Sequence, residues 1–167
     1  MIAYDKYLYP EIRDLQGDLF YCIRDKLPGV DEEWFVNEFM KSNIRSYLDK
    51  GNFKYAYMSY SAILNYFLCE LNNSDISHGE FIPADYKRGN QRGDLMWIGM
   101  MYAYYQWRTG IPSTELIDRL NLSDMERIYP ALHQMGWEAG ARKIHEEVLG
   151  AGKLSEINRE IEDLENI

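Results

Sequence analysis

Three histidines, His78, His133 and His145, are the side chains best suited to move protons near neutral pH. None stands at a metal-ligand spacing from another, and His145 beside Glu146 and Glu147 is a weak ligand pattern. His133 precedes a helix and reads first as a local hydrogen-bonding residue. Carboxylates are abundant, but in an acidic chain abundance is no signal of paired acid–base work. No spacing suggests a nucleophile with its base, and no CxxC, HExxH, EF-hand or phosphate-loop pattern is present. The chain is therefore read as a non-enzyme with no cofactor and no metal. A small enzyme with its site near His133 is an alternative, and it requires a pocket that holds His133 with a carboxylate in reach.

Charge narrows the choice of partner. Of 167 residues, 18 are Lys or Arg and 27 are Asp or Glu, for a net charge of −9. Such a chain is not built around a broad phosphate-binding surface. Segment 113–128 has the look of a helix-turn-helix, which makes a DNA-binding repressor a second alternative. From Ile111 to His133, however, Glu115, Asp118, Asp124 and Glu126 outnumber Arg119 and Arg127. The bases Lys87, Arg88 and Arg92 form a small basic spot in a loop. Nucleic acid is thus an unfavoured partner.

Aromatic residues are the anomaly. There are 14 Tyr and 4 Trp, concentrated at Tyr55, Tyr57, Tyr60 and Tyr66 and at Tyr102, Tyr104, Tyr105 and Trp107. Within 54–67 and 97–107 they run around the helix rather than along one stripe. Tyrosine and tryptophan at a surface give large contact area at low entropic cost. Interface and core packing are evenly matched readings of this pattern. On the interface reading, Tyr102, Tyr105 and Arg108 are the contact residues, with Trp97 in the core.

The elements that carry these residues are helical. Ile12, Leu15, Leu19, Ile23 and Leu27 recur at helical spacing after Pro10, and Pro28-Gly29 ends the run. Asp31 caps a second helix with Trp34, Phe35, Phe39 and Met40 on its inner face, and Ser42-Asn43 breaks it. A short helix over 44–50 closes at Gly51, and a long one is predicted over 54–71. The polar stretch Asn72 to Gly93 is the longest loop and divides the helical domain, 1–152, into an N-terminal half (residues 1–71) and a C-terminal half (residues 94–152). Asp94 caps a helix over 95–109, Ser113 caps the next, and Ser123 with Glu126 has capping-box spacing. Pro130 interrupts, and a further helix covers 137–149. In the segment 153–167, Leu154, Ile157, Ile161 and Leu164 form an apolar edge on an acidic amphipathic helix, a second candidate contact surface that could also support a homo-oligomer. The expected fold is all-α, a compact bundle of about six to eight helices plus this C-terminal helix. Cys22 and Cys69 are read as buried thiols, and no secretory signal or membrane-length apolar run is visible, so a cytoplasmic location is expected.

The order Trp97-Ile98-Gly99-Met100-Met101-Tyr102-Ala103-Tyr104-Tyr105, then Thr109-Gly110, Ser113, Tyr129, His133 and Met135, resembles a little-studied group of small bacterial proteins. Their pattern is W-x-G-Y-x-Y-R-Y-W, T-G-x-S-S and Y-x-x-x-H-x-M. Leu15-Gln16-Gly17-Asp18-Leu19-Phe20, Phe39-Met40-Lys41-Ser42 and Tyr47-Leu48-Asp49 agree in style, so the likeness spans about residues 15–145. Members are encoded beside a toxin-like protein, often one similar to an ADP-ribosyltransferase, and are read as its antitoxin. The resemblance implies a bacterial toxin–antitoxin role, with a protein partner neutralised by steric masking. Departures occur at Met100, Ala103, Tyr105 and Gly136-Trp137, where the family has Tyr, Arg, Trp and an Asp/Ser-Pro turn.

Overall fold

A computed structural model describes residues 4–72 and 94–146. Among them are nine helices and no strand, so the fold is all-α. The helices are α1 (Tyr9–Lys26), α2 (Glu32–Lys41), α3 (Asn43–Asp49), α4 (Phe53–Ala56), α5 (Tyr60–Asn72), α6 (Asp94–Thr109), α7 (Ser113–Arg119), α8 (Leu122–Leu132) and α9 (Trp137–Ile144). No helix among the described residues is long and apolar enough to cross a membrane. The 72–93 loop beyond Asn72, with His78 and the basic spot at Lys87, Arg88 and Arg92, lies outside the described residues. So does the 153–167 segment.

The core is organised by one crossing. The contact of α1 with α6 is the most extensive in the fold and joins the two halves that the loop divides. It is made backbone to backbone through two glycines. A Cβ on Gly99 would stand 2.7 Å from the Gln16 carbonyl oxygen and 3.1 Å from the Gly17 Cα. Glycine here serves close approach rather than an unusual φ. Ile12, Leu19 and Ile23 on α1 and Ile98 and Tyr102 on α6 are fully buried around the crossing. A chain of edge-on rings, Tyr102–Phe20–Phe39–Phe67–Phe35, then links α6, α1, α2 and α5 at centroid separations of 5.3–6.3 Å. Each buried Phe contributes about 1.5–3 kcal/mol from the area it removes from water.

Helix boundaries follow local chemistry in some places and distant partners in others. The Asp31 carboxylate accepts from Trp34 N, as a cap requires. Ser42 ends α2 and starts α3 together, donating to Phe39 O at 2.7 Å and accepting from Arg45 N at 3.0 Å. Gly51 takes φ +66 in the turn after α3. The long helix expected over 54–71 is instead two, α4 and α5. Asn52 accepts from Lys54 N and Ser59 from Ala62 N, so each polar side chain starts its own helix. That split is why the described residues hold nine helices rather than six to eight. Ser113 and Ser123 are not caps. Ser113 gives its hydroxyl to Asp49, and Ser123 gives its hydroxyl to Glu33, while Asn121 caps α8. Helix α8 runs through Pro130, which has no N–H to give to the Glu126 carbonyl, and ends two residues later at Leu132.

Arg24 fastens α1 to its neighbours, donating to Glu32 Oε2 at 2.7 Å and to Asp94 Oδ1 at 3.0 Å. Glu126 stands at the edge of this cluster, 4.0 Å from Arg24. Burial, then Glu32 and Asp94, raise its carboxyl pKa, so its environment disfavours the charged form.

Two outcomes follow from this packing. Gly99→Ala lowers unfolding stability by about 2 kcal/mol, since backbone atoms at the crossing cannot yield. Gly140→Ala, whose new methyl meets only the flexible tip of Met101 at 2.9 Å, changes it by less than about 0.5 kcal/mol. Urea unfolding of both variants checks the contrast. Glu126→Gln raises the melting temperature at neutral pH. The gain disappears in acid below the unfolded-state pKa of Glu126, where the wild-type carboxyl is protonated in both states. Melting curves across pH test this, and a neutral-pH loss of stability would contradict it.

Candidate functional site

Beneath the surface, a buried arginine gathers four helices. Arg45 is fully buried on α3, with Asp49 one turn later on the same face. Its Nε donates to Gln16 Oε1 at 2.8 Å, its Nη1 to Asp49 Oδ1 at 2.6 Å, and its Nη2 to Gln106 Oε1. Gln16 then donates to Gly99 O at 2.9 Å, and Gln106 to Asp49 Oδ1 at 2.5 Å. The other Asp49 oxygen accepts from Ser113 N at 3.0 Å and from Ser113 Oγ at 2.8 Å. Helices α1, α3, α6 and α7 are thus tied by charge-assisted bonds at one point. With three side chains and a helix start converging on them, Arg45 and Asp49 act as a structural clamp rather than as a site open to substrate.

The clamp supports a groove beside it. Tyr4 and Leu8 are buried and form the floor, and Gly51 packs against both. Tyr4 donates its hydroxyl to Ala103 O at 2.5 Å. Burial raises its pKa, against the lowering influence of nearby Arg45, which keeps it a neutral donor. Asp5, Lys6, Lys50 and Phe53 complete the lining of a cavity of about 550 Å³.

Around the groove the surface is aromatic. Tyr7 is 74% exposed, Phe53 67% and Tyr57 61%. Phe53 and Tyr57 lie almost parallel with centroids 6.3 Å apart. Tyr47 stacks on Tyr55 at 5.0 Å, and Tyr55 meets Tyr66 edge-on. Lys54 sits over the Tyr55 and Tyr66 rings at 5.3 and 5.9 Å. Single exposed apolar side chains are ordinary, so the feature that sets this patch apart is that several aromatic rings share it. Of these residues, Tyr55, Tyr57 and Tyr66 stand out in the sequence. Phe53 and the lysines do not, because their grouping depends on the turn at Gly51 bringing the N-terminal segment against α4.

The residues expected to form the contact surface are placed otherwise. Tyr102 is buried and donates to Leu120 O at 2.8 Å, and Tyr105 is buried with its hydroxyl 2.6 Å from His145 Nδ1. Burial pushes both phenol pKa values up. Neither belongs to the folded surface. The reason is the position of α6, which packs against α1, α8 and α9 and so needs apolar residues all round. Arg108 is largely buried over Trp107 and pairs with Glu138 Oε2 at 3.2 Å, joining α6 to α9. Leu154, Ile157, Ile161 and Leu164 lie outside the described residues.

The two alternatives gain no support. His133 is exposed, stacks on Tyr129 at 4.6 Å, and places Nδ1 3.0 Å from the Tyr129 carbonyl of its own helix. It does not line the groove. Arg119 and Arg127, needed for DNA contacts from α7 and α8, pair with Glu115 at 2.5 Å and Asp124 at 3.6 Å. Among the described residues no group of three or more His, Cys, Asp and Glu side chains is arranged to hold a metal ion. Cys22 and Cys69 are free, Cys22 fully buried and Cys69 half-buried. Burial pushes the Cys22 thiol up to about 12, which disfavours its thiolate form.

No protein-family model, curated protein or solved structure matches the chain. The groove and its aromatic rim therefore stand on their own geometry.

Removing the clamp's cation is the direct check on its role. Arg45→Ala leaves Asp49 without its cation and Gln16 and Gln106 without a shared partner. The expected cost is about 3–5 kcal/mol, as for breaking other buried ion pairs. Chemical denaturation measures it, and a loss below about 1 kcal/mol, the level of an exposed pair, would show that the clamp is dispensable.

Proposed function

We propose that the protein is a non-enzymatic protein-binding module that acts as an antitoxin-like neutraliser, covering a functional cleft of its partner. The observation that carries this reading is the aromatic corner at the Tyr4–Phe53 groove, where exposed Phe53 and Tyr57 lie nearly parallel and exposed Tyr7 follows the groove residue Lys6. Such rings supply anchors with few rotatable bonds, so ordering them on binding costs little entropy. Their backing is firm, since the groove floor is tied to the Arg45 clamp through α3. A rigid aromatic surface suits steric masking, which needs a partner's cleft filled and no bond broken. The resemblance in the sequence to small antitoxin-like proteins points the same way.

Capture of partners by the tagged protein from its own host's lysate tests the reading. Wild type and a Phe53→Ser/Tyr57→Ser variant are compared. Both side chains are exposed, so the variant keeps its helical content and cooperative unfolding. A single stoichiometric protein retained by wild type and lost by at least about tenfold in the variant is expected. Equal retention by the folded variant would remove the aromatic corner from the mechanism, and absence of any partner would remove the neutraliser reading itself.

A further inference from the structure

The cations around the groove differ from most of those elsewhere on the surface. Arg13, Arg24, Lys41, Arg108, Arg119 and Arg127 each lie within 4.0 Å of a carboxylate. Among the described residues, Lys6, Lys50 and Lys54 have no such partner. Lys6 and Lys50 line the groove itself, together with the buried Leu8 and the exposed Phe53. Lys54 and Lys6 lie over tyrosine rings, at 5.3 Å from Tyr55 and 5.2 Å from Tyr7. The one acid in the lining, Asp5, accepts from its own loop at Tyr7 N, 2.8 Å away. The lining thus carries two ammonium groups against one carboxylate, a small local excess of positive charge on a chain whose net charge is −9.

Resting on the binding role given above, we propose that the groove takes an acidic segment of the protein partner. Its carboxylates lie between Lys6 and Lys50, and its apolar side chains lie on Phe53 and Leu8. The chain's overall negative charge does not prevent this. At physiological ionic strength the Debye length is about 8 Å, so acids on distant helices are screened while lysines in contact are not. A nucleic acid fits less well. Its phosphates recur at about one charge per 1.7 Å of duplex, so it would run on from the small basic patch across acid-rich surface. A peptide can carry its few charges only where the lysines are. The charge excess also serves discrimination, because a basic segment would bring like charge against the two ammonium groups of the lining.

The test uses the full chain and short fluorescent peptides followed by anisotropy at physiological ionic strength. One peptide is built from glutamate, leucine and alanine, a second has glutamine for glutamate, and a third has lysine for glutamate. A single-stranded oligothymidylate is the fourth probe. The acidic peptide is expected to bind at least about tenfold more tightly than the other three. In Lys6→Glu/Lys50→Glu this preference reverses toward the lysine peptide, which a merely structural role for the lysines would not produce. Both lysines are at the surface, and circular dichroism confirms that the variant is folded. Equal binding of acidic and neutral peptides, no binding of either, an unchanged preference in the variant, or preferential binding of the oligonucleotide would each overturn the proposal. The lysate capture in the preceding section can still succeed in those cases, so failure of the charge argument is separable from failure of the binding role.

Discussion

A guanidinium without water must be answered by the protein, and much of this fold is arranged to answer Arg45. Desolvating one such charge costs several kcal/mol, which only well-placed acceptors return. Here the acceptors come from α1, α3 and α6, and Asp49 passes the constraint on to the start of α7. Each contributing residue is itself held by a second contact. Gln16 is fixed by Gly99 O, and Gln106 by Asp49. A shift of any one helix would leave a buried polar group unpaired. The clamp therefore specifies the relative placement of the helices more than it adds to net stability.

The α1–α6 crossing makes this arrangement possible. Gln16 reaches the α6 backbone because Gly17 and Gly99 let the two helices touch. With α6 drawn into the centre, apolar residues around its whole circumference become a requirement rather than a surplus. Tyr102, Tyr104 and Tyr105 each commit their hydroxyl to a fixed partner, Leu120 O, Glu138 and His145 respectively. Tyrosine is the apt residue at such positions, since it fills core volume and still satisfies a polar group at the periphery of the helix cluster.

That arrangement explains what is legible in the sequence and what is not. The α1 stripe, the Asp31 cap, the Ser42 break and the Gly51 stop depend on residues within a few positions of one another, and each stands in the structure. Ser113 and Ser123 have the local spacing of caps, yet their hydroxyls are taken by Asp49 and Glu33, 64 and 90 residues away. Local spacing carries no trace of such partners. The rings of α6 mislead for a related reason. An all-round aromatic helix is equally consistent with an exposed interface and with complete enclosure, and only the number of neighbouring helices decides. Of the candidate site, Tyr57 is visible in the sequence as an unplaced aromatic, while Phe53, Lys6 and Lys50 are not. Lys6 and Lys50 are far apart in the chain and meet at the groove only through the packing of Gly51 on Tyr4 and Leu8.

The contrast between clamp and corner separates the polarity that holds the fold together from the polarity on which the proposed binding rests. Cations that hold helices together are matched with carboxylates: Arg45 with Asp49, Arg24 with Glu32 and Asp94, Arg108 with Glu138. Matching is what stability favours, because an unanswered charge beside apolar surface gains nothing from folding. Lys6, Lys50 and Lys54 depart from that rule in a chain with carboxylates to spare, and they do so beside the exposed rings of Tyr7, Phe53 and Tyr57. Exposed aromatic area contributes nothing to an isolated domain, whereas hydrated surface lysines cost it little. Their coincidence at one groove, backed by the Arg45 clamp, is the feature on which the proposed binding role rests.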